Sequence, residues 1–277
     1  MANIEENSLN PGKQLQELLM ELYPFSQGRS SNFICQIDNA LKAEGELSYL
    51  IYNSTINYMM RRLIFTAEFL NRKCDKNNLG EDKFILELRN FIKENTRISS
   101  KNLEKVLVLL RECIKARKKD IAPSQKTRIH RRAKQRDERC YICGCQLDFK
   151  RLENFKSPEI EHLWPRSMGG LSEEPNLKVS CSKCNFNKRN YIDCSDFHYE
   201  EICIVSDEDD DHFSTEMTRE YELAIWAKSN FKCKICGKPA SNVGKLKLSR
   251  INLDDSWHFL NIDAYCEQHS TLSKNLF

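Results

Sequence analysis

Cys140-x-x-Cys143, Glu159-Ile160-Glu161-His162-Leu163-Trp164-Pro165-Arg166, Gly169-Gly170, Asn176-Leu177 and Cys181-x-x-Cys184-Asn185 follow one another through the middle of the chain. Two cysteine pairs at this spacing predict a zinc site, because Zn²⁺ takes four soft or borderline ligands in a tetrahedron. Cys145 lies close enough to the first pair to substitute for Cys143. Structural zinc needs only the four thiolates. An acid, a histidine and two asparagines lie among and just beyond the pairs, and these are groups that a metal-assisted hydrolase uses.

A second set lies downstream, with Cys233-x-x-Cys236 and Cys266-x-x-His269. It predicts a Cys₃His zinc site in a unit too short to be stable without a staple. The two sets resemble each other. Asn176 stands five residues before Cys181, and Asn261 stands five before Cys266. The second set lacks a pair like Glu161-His162, and Ser270 stands where Asn185 would. A related zinc fold without the catalytic residues is expected there.

The chain has 277 residues and 13 cysteines. Its start, Met1-Ala2-Asn3-Ile4-Glu5-Glu6, has no basic-then-apolar secretory pattern, and no apolar run reaches a membrane span. A cytoplasmic protein without a membrane partner is expected, so the cysteines are read as metal ligands rather than disulfides. Cys35, Cys74, Cys113, Cys145, Cys194 and Cys203 are read as ordinary thiols, with Cys143 preferred to Cys145 as ligand, and His258 as a packed or surface residue. The net charge of +3 is too small to argue for nucleic acid.

Residues 1–120 carry apolar stripes at helical spacing, among them Leu47 to Leu70, Phe84 to Ile92 and Leu103 to Ile114. A helical recruitment or regulatory region is expected, with no catalytic constellation in it. From Lys126 the chain turns basic, with Arg128, His130, Arg131, Arg132, Lys134, Arg136 and Arg139. This is either a solvated helix or a phosphate-contacting strip. Ser206 to His212 form an acidic run, read as part of a linker over 196–216. The expected organisation is 1–120 helical, 121–195 basic segment plus central module, 196–216 linker and 217–277 second zinc unit.

Glu161-His162, Pro165, Gly169-Gly170, Asn176-Leu177, Cys181-x-x-Cys184-Asn185 and Lys188 together resemble the HNH, or ββα-metal, nuclease family over about residues 138–192. The resemblance matches the family's first His to His162, its central Asn to Asn176 and its last His or Asn to Asn185. Glu161 replaces the usual Asp. It implies an α+β chain, with a mainly helical N-terminal region and a central zinc-pinned ββα-metal module. A small C-terminal ββα or treble-clef-like zinc unit completes it. It also implies two structural Zn²⁺ and a catalytic Mg²⁺ or Mn²⁺ on Glu161 and Asn185, with Asn187 a rival to Asn185.

The residue chemistry agrees. A neutral imidazole can take a proton from water at neutral pH, making His162 the candidate base. Hard divalent ions prefer oxygen ligands such as Glu161 and the Asn185 amide. Asn176 can hold the loop bearing His162. Arg166, Lys188, Arg131 and Arg132 are the expected phosphate contacts.

The sequence therefore leads to the expectation of a metal-dependent endonuclease cutting DNA with weak sequence preference. The family resemblance implies a place in a bacterial antiviral defence or mobile-element system beside a partner ATPase or sensor. The rival readings are a non-catalytic zinc module that binds nucleic acid or protein, and an RNA-directed nuclease.

Overall fold

The computed structural model describes residues 10–25, 33–151, 154–204 and 217–270, and it is a helix-rich α+β structure. The acidic run at 206–212 lies outside the described residues. The helices are α1 (Pro11–Leu22), α2 (Phe33–Ala40), α3 (Glu46–Lys76), α4 (Gly80–Asn95), α5 (Ser100–Lys118), α6 (Pro123–Gln135), α7 (Ser182–Lys188), α8 (Arg219–Lys228), α9 (Ala240–Val243) and α10 (Glu267–Ser270). The strands are β1 (Pro158–His162), β2 (Leu177–Cys181), β3 (Cys203–Ile204), β4 (Lys247–Arg250), β5 (Trp257–His258) and β6 (Ile262–Tyr265), paired as β1–β2, β3–β5 and β4–β6. No helix among the described residues is long and apolar enough to cross a membrane.

The chain divides into two compact units. The first takes Met1–Ser26, Tyr52–Ile121 and His162–Leu177. Here α1 packs on α5, and α5 on α4. Leu15 and Leu19 of α1, Met60, Leu63 and Ile64 of α3, Leu88 and Ile92 of α4 and Leu110 of α5 are almost wholly buried, as the helical periodicity requires. Gln16 and Asn57 lie inside this core and satisfy each other at 2.6 Å. The segment 162–177 joins the helices through its own polar groups. Asn10 Oδ1 accepts from the Leu171 amide at 2.8 Å, and Trp164 Nε1 donates to the Met168 carbonyl at 2.8 Å. Gly169 sits at φ +79°, which a β-carbon would strain, and its carbonyl accepts from the Gly12 amide.

The second unit takes Gln27–Ile51, Ala122–Glu161 and Lys178–Phe277. Asp38 is buried because its carboxylate accepts from the Gly45 and Ser48 amides, at 2.6 and 3.0 Å, where α3 begins. Residues at the start of the expected linker are structured. Cys203 and Ile204 of β3 pair antiparallel with His258 and Trp257 of β5. The expected alternation after Gly244 forms β4, which pairs antiparallel with β6.

The two cysteine-rich motifs share a backbone plan as well as a spacing. Each has a knuckle, then two paired strands (β1–β2 or β4–β6), then a short helix, and the second also carries α9 after its knuckle and β5 between its paired strands. Gly144 donates to the Cys140 carbonyl at 2.8 Å, and Gly237 to that of Cys233 at 2.9 Å. Asn176 and Asn261 make the same clamp. Asn176 Oδ1 accepts from the Trp164 amide and its Nδ2 donates to the carbonyls of Trp164 and Leu171, at 2.7, 3.0 and 2.9 Å. Asn261 Oδ1 accepts from the Asn252 amide, and its Nδ2 donates to the carbonyls of Asn252 and Ser256, at 2.8, 2.9 and 2.9 Å. The strand residues before the clamped loops differ: Glu161-His162 end β1, and Ser249-Arg250 end β4.

Candidate metal centres and the candidate active site

Cys140, Cys143, Cys145 and Cys181 bring their sulfurs within 4.8 Å of one another. Cys143 and Cys181 are 3.9 Å apart, close to the roughly 3.8 Å between thiolates on one tetrahedral zinc. Cys184, expected as a ligand, is wholly buried at the start of α7, and the Arg219 guanidinium donates to its sulfur at 2.9 Å. Five cysteines thus serve a four-ligand centre, with Cys145 inside the tight set. The shared plan of the two motifs ranks them differently, since Cys184 occupies the position of the ligand His269 and Cys145 that of Lys238. A sulfur moves by rotation about one bond, whereas the backbone positions of the plan are fixed by the hydrogen bonds above.

The second set is the expected one. Cys233, Cys236, Cys266 and His269 lie within 4.8 Å of one another. His269 Nδ1 is 3.4 Å from the Cys233 sulfur and 3.2 Å from that of Cys266, against about 3.6 Å for two ligands on one zinc. Cys113 and Cys194 stand apart from both sets. Burial raises both thiols, Cys194 to about 12, so neither is a reactive thiolate near neutral pH. His258 binds Asp255 at 3.0 Å.

In the first unit, His162 Nε2 lies 3.1 Å from the Ser172 hydroxyl, which itself donates to the Lys119 carbonyl at 2.8 Å. A hydroxyl has one proton to give. Ser172 gives it to Lys119, so it accepts from His162 Nε2–H. The neutral ring is therefore the Nε2–H tautomer, and its lone pair is on Nδ1. Ser172 is buried, and Asn176 clamps the carbonyl of Leu171 next to it. Sequence reasoning reached Asn176 but missed Ser172 and the Lys119 carbonyl, because neither carries a motif. Ser172→Ala is expected to leave both partners unsatisfied and cost about 1–3 kcal/mol, read as a lowered denaturant midpoint.

In the second unit the expected metal carboxylate is already engaged. Glu161 accepts from Lys188 Nζ at 2.7 Å and from the Tyr141 hydroxyl. The ammonium and carboxylate are 6% and 5% exposed. Burial, and after it the Glu161 charge, push the Tyr141 hydroxyl well above its usual pKa, so it stays protonated as the donor. Lys188, expected at a phosphate, is instead an internal counter-charge. A buried carboxylate without one would carry a large desolvation penalty. Lys188→Met is expected to cost about 3–5 kcal/mol, measured by urea unfolding, with much of that recovered in the double variant Glu161→Gln/Lys188→Met.

Asn185 is placed on Glu159 rather than Glu161, with its Nδ2 donating to the Glu159 carboxylate. Asn187 is half-buried and donates to the Lys183 carbonyl at 2.7 Å. Arg166 is partly exposed and pairs with Asp120. Arg131 is exposed and Arg132 half-buried on α6, whose buried side is Ile129 and Ala133. The basic strip is thus a helix with Lys126, Arg128, Arg131 and Lys134 in solvent.

No family model matches the chain, and neither the curated proteins nor the solved structures provide a match.

Proposed function

We propose that the chain is a metal-dependent endonuclease of the HNH kind that hydrolyses DNA phosphodiester bonds with weak sequence preference. The observation that carries this reading is His162, whose ring is held in one tautomer by Ser172 on a loop clamped by Asn176. A surface histidine needs no such holding, whereas a base that must present Nδ1 to a water does.

The remaining parts are assigned by chemistry. Glu159 and Asn185 stand side by side and offer hard oxygen donors, and Glu161 adds a third that Lys188 now neutralises. This donor set suits Mg²⁺ or Mn²⁺. Either ion would stabilise charge developing on the phosphate and on the leaving 3′ oxygen. His162 would take the proton of the attacking water at Nδ1, while Arg166 and the exposed arginines of α6 contact phosphates. The two cysteine-rich sets hold structural zinc. A role beside a partner ATPase or sensor in antiviral defence belongs to the same proposal.

The engagement of Glu161 by Lys188 and Tyr141 favours a second reading, a non-catalytic zinc module that binds nucleic acid or protein. Plasmid cleavage by the full chain with Mg²⁺, Mn²⁺ or EDTA separates the two readings. Metal-dependent nicking supports the nuclease, and its absence under every metal supports the module. RNA substrates in parallel test the preference for DNA.

A further inference from the structure

The exposed face of α3 departs from the ordinary rule that a bundle helix turns its apolar residues inward. Within the first unit, Tyr58 is 67% exposed, Phe65 42% and Phe69 66%. They recur at intervals of seven and four, which puts them on one face. Arg62, Arg72, Lys73 and Lys76 are exposed on the same face. The opposite face of the helix carries the core residues Met60, Leu63, Ile64 and Ala67. The aromatic stripe is therefore not part of the core.

The face carries Arg62 between Tyr58 and Phe65, and Arg72, Lys73 and Lys76 beyond Phe69, over about 27 Å at 1.5 Å per residue. Glu68 and Asp75 are the acids in this stretch, and both lie to one side of it. Glu68 is engaged by Arg72 and Arg117, and Asp75 by Lys118. Arg117 also lies over the Phe65 ring, 5.4 Å from its centre. Arg72 also lines a pocket of about 300 Å³ with Arg117, Lys118 and Arg166, where Glu68 and Asp75 offset part of their charge.

We propose that this face of α3 binds single-stranded nucleic acid, the bases stacking on Tyr58, Phe65 and Phe69 and the phosphates meeting Arg62 and the cations that follow Phe69. This deepens the nuclease reading and rests on it for the identity of the polymer. Charge complementarity selects the occupant. A second copy would set the cations of this stripe against one another, since the flanking acids Glu68 and Asp75 are already paired with Arg72, Arg117 and Lys118. A duplex would offer phosphates but hide the base faces that three exposed rings require. A single strand supplies both, and stacking of this kind tolerates any sequence.

The test is fluorescence anisotropy with the full chain and no added Mg²⁺ or Mn²⁺, so that no cleavage occurs while the structural zinc stays in place. The probes are a fluorescein-labelled oligodeoxythymidylate of about 20 nucleotides, longer than the sites of typical single-strand binders, and a duplex of equal length. The expected result is tighter binding of the single strand, weakened at least about fivefold by each of Tyr58→Ala, Phe65→Ala and Phe69→Ala. A Phe69→Trp variant is expected to lose fluorescence as oligonucleotide is added, the signature of stacking. All three positions are exposed, so the variants are expected to melt like the parent.

Binding unchanged in the triple alanine variant overturns the proposal, as does preference for the duplex. A dimer that dissociates in the triple variant, seen by sedimentation, assigns the face to a second copy and also overturns it. Single-strand binding with Phe69→Trp quenching, in a protein that nicks no plasmid, upholds the proposal while the nuclease reading fails. Nicking with no strand binding does the reverse.

Discussion

Replacing His162 with alanine is expected to reduce metal-dependent strand cleavage by about a hundred- to ten-thousandfold, the contribution of a positioned general base. Zinc content and melting temperature are expected to stay near those of the parent, because His162 is no zinc ligand and its loop is held by Asn10 and Asn176 independently of the ring. Cleavage would be followed on supercoiled plasmid with Mg²⁺ and with Mn²⁺, and zinc by metal analysis of the same preparation. Full activity in the variant would remove His162 from the chemistry. Loss of zinc together with activity would mean that the substitution acts through folding.

Replacing Cys181 with serine is expected to have the larger effect on structure. Structural zinc contributes on the order of 10 kcal/mol to modules of this size, more than a domain's whole stability, so losing one thiolate should unfold the knuckle and its strand. The expected outcome is one zinc fewer per chain and loss of the cooperative melt of this module. Cys145 gives the experiment a second edge. It is already inside the tight sulfur set, so a variant of Cys181 or Cys184 that keeps its zinc would show that the fifth cysteine substitutes as ligand. Cys145→Ser alone is the control, expected to keep both zincs if Cys184 is the resident ligand.

The parts of the fold set by local pattern could be read from the sequence. The helical stripes from Leu15 to Ile114, the basic helix after Pro123 and the strand after Gly244 appear where the periodicity puts them. The two cysteine sets assemble because their spacings leave little freedom once a shared centre is assumed. Asn176 was legible too, since a buried amide beside a loop has backbone groups to satisfy, and its twin Asn261 makes the same bonds. What could not be read were partners chosen by packing at long range. Nothing adjacent to Lys188 in sequence says that it will be buried against Glu161, 27 residues away. Nothing near Ser172 points to the Lys119 carbonyl, 53 residues away. The charge on Lys188 suggested a phosphate contact, and burial gave it a carboxylate instead.

His162–Leu177 groups with the N-terminal helices although its neighbours on both sides belong to the other unit, so the placing of its histidine depends on those helices. The cysteines of the central set come together across a separation of 38 residues. The His162 loop is finished by contacts spanning 46 residues to Asp120, 53 to Lys119 and 161 to Asn10. The partners of this loop lie in the N-terminal helices, while the cysteines lie in the other unit. Under the proposed function, loosening those helices would release the histidine and stop cleavage while the metal ligands stay gathered.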